Sequence, residues 1–228
     1  MIPRVLVARA DVPGSGELRL MKRGAEYSIM LGSNELMNSR QSGSEEALAE
    51  FACKRIGSDG RVLIGGLGMG FTLRAALQVL GRGAEVVVAE LVPAVVGWAR
   101  GTMAEIFGGS LEDPRVSIVE DDVGRVISAA EVDYDAILLD VDNGPDGLTR
   151  AENDWLYGMA GLAAARRALR PGGVLAVWSS APDRSFSRRL LHAGFEVEEV
   201  TVRARGSRGG RHHIWLATRN ATIQPPLR

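Results

Sequence analysis

The chain has 228 residues, 46% of them hydrophobic and 24% charged, a balance that excludes a disordered chain and supports a core of its own. Lys and Arg total 27 against 28 Asp and Glu, a net charge of −1, so no basic excess points to a nucleic-acid partner. One cysteine, Cys53, excludes an internal disulfide and any multi-cysteine metal site; no apolar run reaches membrane-span length and no signal pattern opens the chain, which predicts a soluble, cytoplasmic protein with no membrane partner.

The first stretch reads as short strands separated by turns. Val5–Ala8 is apolar, Pro13-Gly14-Ser15-Gly16 turns, Glu17–Met21 alternates, and Tyr27–Leu31 leads to a turn at Gly32-Ser33-Asn34. Residues 1–43 are therefore expected to form a β-hairpin segment. From Ser44, a candidate N-cap, the apolar spacing of Ala47, Leu48, Phe51 and Ala52 predicts a helix.

From Arg61 the pattern alternates. Strands are expected at 61–64, 85–89, 116–119, 136–139 and 174–178, and helices at 71–80, 92–100, 123–130, 155–169 and 184–193. Short, continuous apolar strands separated by helices imply a parallel sheet covered on both faces. The last two apolar stretches, 196–203 and 213–218, are too close for a helix between them and must pair as an antiparallel hairpin. The fold class is thus α/β, a Rossmann-like doubly wound seven-stranded sheet ending in a β-hairpin. It occupies residues 44–220, and residues 221–228 are read as a loose tail.

The segment Val62-Leu63-Ile64-Gly65-Gly66-Leu67-Gly68-Met69-Gly70 leaves a strand and enters a helix. Gly66, Gly68 and Gly70 let the backbone turn sharply and approach a ligand. Glu90 ends the next strand, placed to accept the two hydroxyls of a ribose. A dinucleotide loop reads GxGxxG. This one reads GxGxG, which together with the terminal hairpin favours S-adenosylmethionine over NAD. Asp140, Asp142 and Asn143 follow the fourth parallel strand, at the sheet edge where ligands of open α/β sheets bind. Asp142 is the first candidate for base or amine anchor, with Asp140 supporting it and Asn143 orienting.

Weaker signals are more ambiguous. Asn38-Ser39-Arg40 either closes over a ligand or is a solvated turn, and Trp155 and Tyr157 either wall a pocket or join the core. His212-His213 lacks a third metal ligand, and neighbouring residues of a strand face opposite ways, so no metal is expected. Arg203, Arg205, Arg208 and Arg211 give a basic hairpin tip.

The run from Arg61 to Thr218 resembles the class I S-adenosylmethionine-dependent methyltransferase superfamily, specifically its spermidine-synthase-like branch. The resemblance implies that Gly66–Gly70 is the cofactor loop, that Glu90 binds the ribose, and that Asp121 or Asp122, in the segment DPRVSIVEDDVGRVI, binds the adenine amino group. It implies that YDAILLDVDNGP carries the reacting site, with Asp140 also near the cofactor, and that the early hairpins match that branch's N-terminal β-segment. Oligomers are common in the branch, which implies a homodimer.

Three positions depart from the branch. Spermidine synthases carry Gly-Gly-Gly-Asp-Gly-Gly in the loop, and Gly68 stands where that Asp would be. Their Asp-Ser-Ser-Asp-Pro loop reads Asp140-Val141-Asp142-Asn143-Gly144-Pro145, and their Tyr-His-Glu segment reads Ser44-Glu45-Glu46. These departures lead to the expectation of methyl transfer from S-adenosylmethionine to an amine or other nucleophile of a small molecule or peptide. The alternatives are a polyamine aminopropyltransferase using decarboxylated S-adenosylmethionine, and a non-catalytic nucleoside-binding protein.

Overall fold

The computed structural model describes residues 2–12, 16–141, 144–145, 155–205 and 208–220. The predicted positions Asp142 and Asn143 and the tail 221–228 lie outside the described residues.

Four antiparallel strands come first: β1 (Val5–Val12), β2 (Gly16–Arg23), β3 (Glu26–Leu31) and β4 (Asn34–Asn38), side by side in that order. β4 is an element that the turn residues Gly32-Ser33-Asn34 concealed, because Asn34 both closes the turn and opens the strand, pairing with Leu31. Leu18, Leu20, Tyr27 and Ile29 bury the inner face of this small sheet.

Helix α1 (Gly43–Cys53) leads into the main sheet. Its N-cap is Ser42 rather than the expected Ser44, which lies inside the first turn and is fully buried. Cys53, at the other end of α1, is also buried, and that burial pushes its thiol up to about 12, an unreactive core position.

The main sheet contains β5 (Arg61–Gly65), β6 (Glu85–Ala89), β7 (Val116–Val119), β8 (Tyr134–Leu139), β9 (Leu169–Ser179), β10 (Phe195–Arg205) and β11 (Arg208–Arg219), in the order β10-β11-β9-β8-β5-β6-β7. The five strands β5 to β9 run parallel, and β11 and β10 close the sheet as the antiparallel hairpin the sequence predicts. Helices α2 (Phe71–Val79), α3 (Pro93–Arg100), α4 (Ala104–Phe107), α5 (Val123–Ala129), α6 (Met159–Ala168) and α7 (Arg184–His192) connect them. β9 starts at Leu169, earlier than expected. Pro171-Gly172-Gly173 forms an irregularity between two paired stretches instead of a stop before the strand.

Successive side chains of each parallel strand enter opposite cores. On β5, Val62 and Ile64 pack with Leu48, Leu73 and Phe107, whereas Leu63 packs with Ile137, Phe186 and Trp215. Burial on both faces accounts for the unbroken apolar runs in the sequence.

Register fixes what happens at the carboxyl edge. Gly65 is level with Ala89 of β6 on one side and with Leu139 of β8 on the other. The next residue of each strand, Gly66, Glu90 and Asp140, therefore emerges at one level. The order of the chain also reverses between β5 and β8, the crevice where ligands of open α/β sheets bind.

The loop that follows is tightly packed. Gly66 and Gly70 both have positive φ, +89° and +74°, and a Cβ on Gly70 would come within 2.4 Å of the Phe107 ring. Gly70→Ala is therefore expected to cost about 2–4 kcal/mol through backbone strain and overpacking, read as a lower midpoint in chemical denaturation.

Candidate active site

The residues that leave β5, β6 and β8 form one wall of a chamber of about 160 Å³. Gly66, Gly68, Glu90 and Asp140 line it from the main sheet, and Val12, Leu18, Ile29 and Leu31 line it from the small sheet. The N-terminal strands thus roof the crevice.

Glu90 is 7% exposed and binds the loop that it faces. Its Oε2 accepts the Leu67 N–H at 3.0 Å and its Oε1 accepts the Val92 N–H at 2.8 Å. Burial raises its pKa, while those and neighbouring backbone N–H groups oppose the rise. The carboxylate lines the chamber, and carboxylate oxygens are acceptors suited to vicinal hydroxyls.

The two acids after β7 separate in the structure. Asp122 caps α5, accepting the Arg125 N–H at 3.2 Å, and lines the chamber. Asp121 instead accepts the Asp122 N–H at 2.8 Å and lies 3.5 Å from Arg125, outside the chamber lining. Of the pair left open by the sequence, Asp122 is the one that faces the ligand space.

A second chamber of about 120 Å³ adjoins the first. The two share Leu36, Met37, Gly68 and Asp140 as walls, and Glu45, Phe71 and Trp178 are among the residues that line only the second. Asp140 is fixed by a 3.1 Å bond from its N–H to the Gly65 carbonyl, and Thr72 donates to its Oδ2 at 2.6 Å. Its pKa is pushed up to about 7 by burial and by the negative charge of Glu45, with the Thr72 hydroxyl opposing. Burial raises Glu45 too, despite a 2.6 Å bond from the Ser44 hydroxyl. All the charged side chains among the described lining residues of both chambers are carboxylates: Glu45, Glu90, Asp122 and Asp140.

The remaining expectations resolve individually. Arg40 pairs with Glu35 at 3.0 Å and Glu26 at 3.5 Å rather than with a ligand site. Tyr157 is buried against Phe186 and donates to the Val141 carbonyl at 3.2 Å, whereas Trp155 is 40% exposed on a separate depression with Leu91 and Asp122. His212 and His213 do face opposite ways: His212 Nδ1 meets Ser44 Oγ at 2.7 Å, and His213 Nδ1 meets Glu199 at 3.1 Å. Among the described residues no helix is long and apolar enough to cross a membrane.

Sequence reasoning missed Thr72 and the grouping of Glu45, Ser44 and His212 with Asp140. Ser44 and His212 are 168 positions apart, so no local pattern joins them. The available signal was the odd Ser44-Glu45-Glu46 reading of the α1 start.

The chain is similar to known proteins in sequence and in fold. A polyamine aminopropyltransferase of Mycobacterium tuberculosis (strain CDC 1551 / Oshkosh) is 37% identical over 130 residues, which is 55% of this chain and 24% of the relative. One from Streptomyces coelicolor, polyamine aminopropyltransferase 1, is 31% identical over 182 residues, 75% of this chain and 32% of the relative. The chain thus spans about a quarter to a third of the length of these two relatives. Spermidine synthase from Thermotoga maritima superposes with a TM-score of 0.76 over 95% of this chain and 73% of its own, at 18% identity, as does a spermidine synthase in complex with the transition-state analogue AdoDATO. That likeness is one of fold.

These findings overturn the methyltransferase expectation, including S-adenosylmethionine as the preferred donor. The inference from Gly68 equated a missing loop acid with a missing cation site. The structure instead brings Asp140 and Glu45 to the chamber beside Gly68, and it offers the α-carboxylate of S-adenosylmethionine no Arg or Lys among the described lining residues. The Spermine/spermidine synthase domain matches residues 42–184, from the start of α1 to the start of α7, and the chain belongs to that family.

Proposed function

We propose that the protein is a polyamine aminopropyltransferase, taking decarboxylated S-adenosylmethionine as donor substrate and an amine of the polyamine class as acceptor. The observation that carries this reading is the sign of the lining charge. The sulfonium and ammonium common to both donors meet opposite charges in these chambers, whereas the α-carboxylate that only S-adenosylmethionine keeps meets like ones. The family assignment and the names of the relatives support the same reaction.

In this reading Glu90 holds the ribose hydroxyls and Asp122 takes the adenine end of the first chamber. The glycine loop passes beneath, where Gly68, whose added Cβ would sit 3.0 Å from the Met37 sulfur, leaves room for the ligand. Asp140, shared by both chambers, stands beside the reacting carbon. The acceptor nitrogen forms a bond to the propyl carbon as the C–S bond breaks, its electron pair staying on sulfur to give methylthioadenosine. The nitrogen's proton goes to Asp140, whose position near neutrality suits a general base. Positioning supplies much of the remainder.

Two substitutions test the assignments. Glu90→Ala is expected to weaken methylthioadenosine binding about tenfold or more, since a charged acceptor of two hydroxyls is lost. Unchanged affinity in calorimetry removes Glu90 from the nucleoside site.

Asp140 gives a second, independent check through stability. Its folded pKa lies above the ordinary 3.8, so the folded protein holds the proton more tightly than the unfolded chain. The resulting penalty is absent at low pH, grows as pH rises from the ordinary value towards about 7, and is complete above that. Asp140→Asn is expected to raise the melting temperature of the ligand-free protein more at about pH 8 than at about pH 5. An equal change at both would show that Asp140 is not held protonated by its surroundings.

A further inference from the structure

Asp140 and Glu45 pose an electrostatic problem that the protein leaves unsolved. Both are partly buried, the charge of Glu45 raises the cost of ionising Asp140, and no Arg or Lys among the described lining residues compensates them. Asp140 accepts one hydrogen bond, at Oδ2, and its Oδ1 has no partner among the described residues. Buried carboxylates without a counter-charge are costly to keep ionised, so the arrangement suits a site completed by a cation.

Glu45 is held in place at that site. The Ser44 hydroxyl donates to Glu45 Oε2 at 2.6 Å, which leaves the Ser44 oxygen to accept from His212 Nδ1–H at 2.7 Å. The His212 ring in turn packs edge-on against Trp178, 4.9 Å between centroids, and Trp178 lines the same chamber. A chain of contacts from β11 through α1 therefore orients one carboxylate towards the second chamber.

The geometry points to Glu45 as a specificity-determining residue that binds the terminal ammonium of the donor's propyl tail, with Ser44 and His212 as its positioning residues. The inference rests on the donor reading given above and adds the residue that recognises the tail. A nucleoside in the first chamber has its sulfur near Asp140 and Gly68, the walls common to both chambers. A propyl tail that continues past them enters the second chamber and meets Glu45. The loop position Gly68 has no charge to offer, and Glu45, on a different element, supplies one from across the same space.

Methylthioadenosine and S-adenosyl-3-thiopropylamine test this directly. Both are neutral thioethers at sulfur, and they differ in whether sulfur carries a methyl group or a propylammonium tail. Wild-type protein is expected to bind the ammonium-bearing nucleoside about tenfold or more tightly, the strength of a charge-assisted hydrogen bond. Glu45→Gln should abolish that preference while leaving methylthioadenosine affinity unchanged, and Glu45→Asp should retain part of it. The Gln variant removes a like charge facing Asp140, and its methylthioadenosine affinity reports that the site is intact. A preference that survives Glu45→Gln, no preference in the wild type, or parallel loss of both nucleosides in the variant would overturn the assignment. If wild-type protein binds neither nucleoside, the donor reading itself fails, and the role of Glu45 falls with it.

Discussion

The register that sets Gly65, Ala89 and Leu139 side by side is the constraint on which the site depends. Each of these residues is the last of a buried parallel strand, so the one that follows is released from the ladder at the same level. That brings a glycine, a glutamate and an aspartate to one edge although they lie far apart in the chain. The backbone bonds Gly66 N–H to Ala89, Asp140 N–H to Gly65 and Glu90 N–H to Val119 lock the arrangement. A slip of one residue in any of these pairings would turn the acid towards the core or withdraw it from the crevice.

Upon that frame the chemistry is mainly a matter of charge sign. A protein of net charge −1 has no global field to speak of, yet it gathers four carboxylates around two adjoining chambers. Glu90 accepts two backbone N–H bonds and Asp122 caps the start of α5. Asp140 and Glu45 accept hydroxyl bonds from Thr72 and Ser44, and removal from water raises the proton affinity of both, as it does that of Glu90. In the proposed function, the lack of a compensating cation both suits Asp140 to act as base and suits the pair to receive an ammonium.

Much of this was legible in the sequence, and the part that was not has a common physical reason. Continuous apolar runs such as Val62–Ile64 and Val86–Val88 announced buried parallel strands because side-chain burial on both faces is a local property. Glu90 was legible because its distance from the glycine loop is fixed by one helix and one strand. Asp140 was placed correctly at the strand end, but its surroundings, which depend on Thr72 and Glu45 far away in the chain, were not legible. β4 was hidden because its first residue doubles as a turn residue, and the early start of β9 because a proline and two glycines read as a stop. Glu45 escaped notice as a site residue because its significance depends on contacts with β8 and β11, far away in the chain. Methyl transfer was inferred from three departures from the motifs, the vacancy at Gly68 foremost, and a sequence motif cannot reveal that another element brings charge to the same chamber.

The most direct measurement is turnover with two donors in parallel. Purified protein would be incubated with a linear diamine and either decarboxylated S-adenosylmethionine or S-adenosylmethionine, and the nucleoside products separated by chromatography. Formation of methylthioadenosine from the decarboxylated donor, in step with an aminopropylated diamine, is the predicted result. Formation of S-adenosylhomocysteine from S-adenosylmethionine, with the decarboxylated donor inert, would contradict the account at its centre.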